Sequence, residues 1–246
     1  MIKVLSLILF LLLVIIGKSR GLKTFMLFYS GLILIMIYIL GINLGLNAII
    51  FAIIMCIIIS LVTLFGLNGY NTKTKASFLS ILVVLFIITL IMLFVGKNSN
   101  IEGFSVEDIE NIGAFSYDIN YNMTNCIIGA FIISIIGTVI DTSISVSSAM
   151  NEIYENNKKI SRKELFKSGM NVGKDILSTT INTLFFAVII FYIGFFLWHE
   201  NANLGYVINY KAFVSETIKL LMCFIGSILI IPITSYIFSR LIIKKQ

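Results

Sequence analysis

Charge is what this chain lacks most. Asp, Glu, Lys and Arg make up 12% of its 246 residues, against about 25% in ordinary soluble domains. That scarcity excludes a soluble globular domain of any size. A sensor that brought its own soluble input module would need one. Histidine occurs once, as His199 beside Trp198, and the sequence offers it no partners for a metal site. The three cysteines, Cys56, Cys126 and Cys223, lie in or beside apolar runs. None is spaced as a metal or redox pair, so all three read as packing residues. No nucleophile–base pair and no H-E-x-x-H motif can be found. The "GTVID" of Gly137–Asp141 lacks the second Gly of a G-x-G-D aspartyl-protease motif. The expectation is a protein that is not an enzyme and needs no cofactor.

What the chain does have is apolar length. Hydrophobic residues make up 59% of it. Apolar runs of roughly 16–20 residues recur along it, the length a helix needs to cross a ~30 Å hydrocarbon layer. A transmembrane barrel would show short alternating segments instead. The fold class expected is all-α, a polytopic transmembrane helical bundle of about seven spans. These fall near 3–17, 24–42, 48–66, 77–95, 125–150, 176–197 and 217–241. The first run, Val4 to Ile16, could pass for a signal peptide, but the basic "GKSRGLK" after it has no small-x-small cleavage pattern. It reads as an uncleaved span. The chain then divides into an N-terminal span with a basic inner loop (1–23), a three-span apolar region (24–95), an acidic outer loop (96–124) and a three-span core with an amphipathic inner loop (125–246).

Orientation follows from the basic residues. Lys18, Arg20 and Lys23 lie after the first run, Lys73 and Lys75 before the fourth. Lys158, Lys159, Arg162, Lys163, Lys167 and Lys174 lie between the fifth and sixth, and Arg240, Lys244 and Lys245 at the C-terminus. These alternate connections hold 14 of the 18 Lys and Arg residues. The N-terminus is therefore expected outside and the C-terminus inside. The net charge of +6 reflects that asymmetry and not a nucleic-acid surface, because the basic residues flank spans. The outer loop agrees, with Glu102, Glu107, Asp108, Glu110 and Asp118 against one Lys. Within it, Ser105 and Asp108 have capping-box spacing and point to a short surface helix. Trp198, Tyr206 and Tyr210 suit an aromatic belt at the outer interface.

The most informative stretch is "GTVIDTSISVSSAMNEI", Gly137 to Ile153. On a helix, Ser134, Thr138, Asp141, Ser145, Ser148 and Glu152 fall on one stripe. Ala130, Ser134, Thr138 and Thr142 form a neighbouring small-residue stripe suited to close helix packing. If the hydrocarbon begins at Ile127, Asp141 lies roughly 8 Å from its inner edge. Two readings stand: an interfacial carboxylate, solvated or paired, or a functional polar site facing the bundle interior. The next span mirrors the first. Asp175, Thr179, Asn182 and Thr183 run along one face, after a G-x-x-x-G step at Gly169 and Gly173. With antiparallel spans, Asn182 reaches the depth of Asp141, and the two stripes are expected to meet.

Three motifs, "GTVIDTSISVSSAMNEI", "SRKELFKSGMNVGKDILSTTINTL" and "SETIKLLMCFIGSILIIPIT", resemble in order and spacing the YibE/F-like family of bacterial multi-spanning membrane proteins. The resemblance covers roughly 125–240. It carries over onto Gly137, Asp141, Ser145, Glu152, Ser168, Gly169, Gly173, Asp175, Asn182, Thr183, Glu216, Gly226 and Pro232. The chain departs at "ILSTT", where the family tends to have Gly. The resemblance implies a protein of the bacterial cell membrane that works with a related, longer YibE/F-like membrane protein, this chain being of the shorter type. It names no substrate. A weaker likeness, to the RND superfamily with its SecD and SecF proteins, rests on a G-x-x-x-D span, a charged inner loop and a Thr-rich span. In that superfamily, membrane polar groups relay protons.

Three further features have structural readings of their own. Glu216 opens the last span, where a carboxylate favours the helix dipole. Pro232 removes a hydrogen bond to Ile228 and is expected to kink that span, with Thr234 or Ser235 compensating locally. The inner loop is expected to hold a short amphipathic helix from Ser161, with Leu165 and Phe166 toward the membrane, its charge drawn to anionic lipid. The expected function is a permease-like subunit, proton- or ion-coupled through a buried Asp141. The alternative is a non-transporting scaffold whose polar stripe is a helix-packing seam.

Overall fold

The computed structural model describes residues 1–99, 122–198 and 203–243. The expected surface helix around Ser105 and Asp108 lies outside them, as does His199. Every regular element among the described residues is a helix. In chain order these are α1 (Val4–Ser19), α2 (Gly21–Asn43), α3 (Ala48–Asn68), α4 (Thr72–Asn98), α5 (Met123–Asn156), α6 (Arg162–Trp198), α7 (Leu204–Asn209) and α8 (Lys211–Ile243). Six of them, α2 to α6 and α8, are long and apolar enough to cross a membrane. The first expected span is the short one: Val4–Ser19 reaches about 24 Å at ~1.5 Å per residue.

α1 and α2 form a hairpin. The chain reverses at Lys18, whose φ of 48° is left-handed. Ser6 Oγ and Tyr29 OH share a hydrogen bond of 2.7 Å, and the rings of Phe10 and Phe25 lie 4.8 Å apart. Glycine is required at position 21, where a Cβ would meet the Leu13 carbonyl oxygen at 1.8 Å. The later turns are built by short polar caps. Asn47 Oδ1 accepts from the amides of Ile49 and Ile50 to start α3. Asn71 and Thr74 form a reciprocal capping box at the start of α4.

Successive helices alternate in direction. Tyr38 of α2 stacks on Phe51 of α3 and donates to the Ala48 carbonyl at 3.3 Å, while Gly66 at the other end of α3 faces Leu27. Ser77 of α4 meets Ser147 of α5, and Gly96 meets Ile128. α6 and α8 are antiparallel along their length, with Gly173 against Ile231 and Tyr192 bonded to Thr217 at 3.2 Å. α5 and α8 run parallel, Gly226 packing against Val139 and Thr234 against Ser143. α5 is the hub, touching α3, α4, α6 and α8. Its Ile132, Ile135, Ile136, Val139 and Met150 are buried among Ile81, Ile88 and Met92 of α4 and Ile230 and Phe238 of α8. Cys56 and Cys223 are buried and Cys126 is half-buried.

Two boundaries differ from expectation. The expected inner loop between the fifth and sixth spans is mostly helix: α5 runs on to Asn156, and α6 starts at Arg162 and continues unbroken through the span. Ser161 explains the start. Its Oγ accepts from the Glu164 amide at 3.3 Å, and the Glu164 carboxylate accepts from the Ser161 amide at 3.0 Å. No breaker follows, so the amphipathic turn and the span are one element. α8 likewise begins at Lys211, before Glu216, whose carboxylate pairs with Lys219 one turn on and not with the helix start. At the expected outer end, Tyr206 and Tyr210 join Phe195 and Phe213 in one aromatic cluster.

Candidate functional site

α5 divides its residues sharply. Large apolar side chains and one set of hydroxyls are buried, and the rest of the circumference is small and polar. Ala130, Ser134, Gly137, Asp141, Ser145 and Glu152 are all exposed, with Thr138 and Ser148 half-buried between them. Steps of three and four make this a continuous stripe. No hydrogen bond or ion pair reaches the Asp141 carboxylate among the described residues. The expectation that Asp141 is buried inside this chain is therefore corrected: it lies on the surface of the isolated bundle. The reason is competition for the core. The isoleucines of α5 occupy the faces toward α3, α4 and α8, and the polar stripe is what remains.

The partner stripe on α6 behaves the same way. Asp175, Ser178, Thr179, Asn182 and Thr183 are exposed. Thr179 Oγ1 donates to the Ile176 carbonyl at 2.8 Å and Thr183 Oγ1 to the Thr179 carbonyl at 2.9 Å, so both hydroxyls are satisfied on their own helix. Among the described residues no hydrogen bond joins this stripe to Asp141 or Ser145, so the two stripes do not satisfy one another. What α6 packs with is its glycine face. A Cβ at Gly169 would lie 2.5 Å from Met150 Sδ and 2.8 Å from Ser235 Oγ; one at Gly173 would lie 2.2 Å from Ile231 Cγ2. These two glycines are helix-packing positions. Gly137 is not, since nothing lies within 4 Å of where its Cβ would be.

The sequence reading missed a second polar set on the opposite face of α5. Ser143 and Ser147 are fully buried, two and six residues beyond Asp141. Ser77 Oγ of α4 shares a hydrogen bond with Ser147 Oγ at 2.7 Å and donates to the Ser143 carbonyl at 3.3 Å. Ser143 Oγ shares one with Thr234 Oγ1 of α8 at 3.0 Å. Three helices are thus tied together by hydroxyls near their expected inner ends. Thr234 spends its hydroxyl there and not on the carbonyl freed by Pro232, and α8 continues as helix through that proline. Ser235 and Ser227 carry buried hydroxyl oxygens with no hydrogen-bond partner among the described residues. The signal was present: in "DTSISVSS" a step of two turns a helix by about 200°, so Asp141 and Ser143 must face opposite ways.

A cavity of about 580 Å³ opens between the α2–α3 turn and the start of α5, lined by Asn43, Asn47, Asn122, Asn125 and Cys126 among others. It is at the other end of α5 from the hydroxyl set and carries no formal charge.

One comparison with known proteins finds a match. The model of the YibE/F-like protein family matches residues 5–244, nearly the whole chain. The chain belongs to that family. The match extends well beyond the 125–240 region that carries the sequence motifs, so the hairpin α1–α2 and helices α3 and α4 are part of the YibE/F-like unit. No curated protein and no solved structure matches it.

Proposed function

We propose that this YibE/F-like protein is a permease-like subunit of the bacterial cell membrane that works with a related, longer membrane protein, and that Asp141 is the proton- or ion-responsive group of the assembly. The carrying observation is the exposure of an unpaired carboxylate within an apolar span. In hydrocarbon such a group costs about 2.5–3.5 kcal/mol or more, and intramembrane carboxylates face protein or water. A second protein surface or a wet cleft must therefore cover the α5 stripe. Its composition suits a helix of the partner: Ala130, Ser134, Gly137 and Thr138 allow close approach, and Gly137 stands before open space. Asp141 then sits at the seam between the two proteins, where closure and opening change its hydration. Substrate recognition belongs to the assembled pair, with no catalytic residue in this chain.

The test is reconstitution with the longer relative. Co-purification in mild detergent is expected, with proton flux in liposomes that needs both chains. Asp141→Asn should keep the fold and the association but abolish flux, because Asn hydrogen-bonds without carrying a proton. Full flux in the Asn variant would leave Asp141 a packing role only. The same exposed stripe also favours a non-transporting scaffold, with the seam serving helix pairing alone. Association that survives Asp141→Asn, together with no flux from the unaltered pair, selects that reading.

A further inference from the structure

We propose that the inner ends of α6 and α8 form a binding site for an anionic phospholipid. A cavity of about 390 Å³ opens there, lined by Arg162, Lys163 and Phe166 of α6 and by Tyr236 and Ser239 of α8. Its two ends differ in chemistry. Arg162 and Lys163 supply two exposed cations. Phe166 and the half-exposed ring of Tyr236 supply the apolar wall. The Arg162 guanidinium lies 5.0 Å from the centre of the Tyr236 ring, which holds the cation at the cavity instead of in free solution. Ser239 Oγ donates to the Tyr236 carbonyl at 2.9 Å, so it forms a wall without demanding a ligand. The nearest acid in sequence, Glu164, is turned back onto Ser161 by hydrogen bonds of 3.0 and 2.8 Å. Its charge is committed to the helix cap.

A cationic end joined to an aromatic wall matches a lipid, with phosphate on the basic pair and the upper acyl chain along Phe166 and Tyr236. Basic pockets between helices at the inner interface take lipid head groups in this way. A small free anion would use the cations and leave the apolar wall uncovered, so the occupant is the membrane lipid. The site is independent of Asp141 and of any partner subunit.

The experiment is native mass spectrometry of the full chain released from neutral detergent with equal amounts of phosphatidylglycerol and phosphatidylcholine. The unaltered protein should retain phosphatidylglycerol preferentially. Arg162→Gln combined with Lys163→Gln should lower that preference roughly 10- to 30-fold, the scale expected for losing two cationic contacts to an anionic head group. The control is Lys73→Gln with Lys75→Gln. It removes the same charge from the same expected side, including the Lys75 contact with the Tyr70 ring, but outside the cavity. It should leave the preference intact. Inorganic phosphate in excess should not displace the lipid. Equal loss from the control pair would reduce the effect to general electrostatics, and displacement by inorganic phosphate would make this a free-anion site. Either result, or equal retention of the two lipids by the unaltered protein, overturns the proposal.

Discussion

Asp141 and Ser143 are two residues apart and have opposite fates, and the difference is a matter of what each residue can satisfy alone. A serine hydroxyl donates once and can be satisfied by a neighbouring hydroxyl or carbonyl, so it is tolerated in the core. A carboxylate needs several donors, and the hydroxyls of Ser77, Ser143, Ser147 and Thr234 between α5, α4 and α8 are already engaged with one another. The buried set can be weighed by a double-mutant cycle. Ser77→Ala and Ser147→Ala should each destabilise the bundle modestly, with a coupling of about 0.6 kcal/mol and no more than ~2, the range found for hydrogen bonds between membrane helices. Reversible unfolding in mixed micelles measures it. Strict additivity of the two changes would show that the 2.7 Å contact between these hydroxyls contributes nothing beyond burial.

At the scale of elements, glycines separate what holds this chain together from what it offers to others. Gly173 is where α6 meets α8, and Gly173→Ala must move Ile231. That change should cost about 1–3 kcal/mol, the usual penalty of overpacking, and lower the unfolding midpoint of the isolated chain. Gly137→Leu fills empty space on an exposed face, so it should leave that midpoint unchanged or raise it, since Gly is the weaker helix former. It should nonetheless reduce co-purification with the longer relative. Unchanged association of the Leu variant would place the partner elsewhere. The sequence made the helices themselves legible, because apolar length and capping residues are local properties. Helix ends were less so: the continuity of α6 depended on Ser161 and Glu164 acting as a cap inside what composition marks as a charged loop. Which polar stripe is buried could not be read, because periodicity assigns residues to a face and only the neighbours decide what that face meets.

For the whole molecule, the alternating directions of α1 to α6 and the parallel pairing of α5 with α8 tie the two ends of the chain to opposite sides. If α1 crosses with the others, seven crossings result. The basic residues then choose the hand. The connections α1–α2, α3–α4 and α5–α6 with the helix ends beside them, and the C-terminus, carry 14 of the 18 Lys and Arg residues, and the expectation from that asymmetry is that they face the cytoplasm and the N-terminus lies outside. The brevity of α1 is the weak point of that topology, and the hairpin answers it. Phe10 against Phe25 and Ser6 against Tyr29 hold α1 along α2, so α1 is expected to cross where α2 does, with local thinning or flanking residues absorbing the missing length. Single cysteines test this in a background without Cys56, Cys126 and Cys223. Leu44, exposed in the α2–α3 turn, is expected to label from outside with a membrane-impermeant maleimide. Asn157, exposed between α5 and α6, should label only after the membrane is opened. A cysteine at Met1 decides the first crossing: it should behave as Leu44 does. If Met1 labels with Asn157, α1 lies in the inner leaflet without crossing and the bundle has six spans; if Leu44 and Asn157 label from the same side, the charge-based orientation fails for the whole chain.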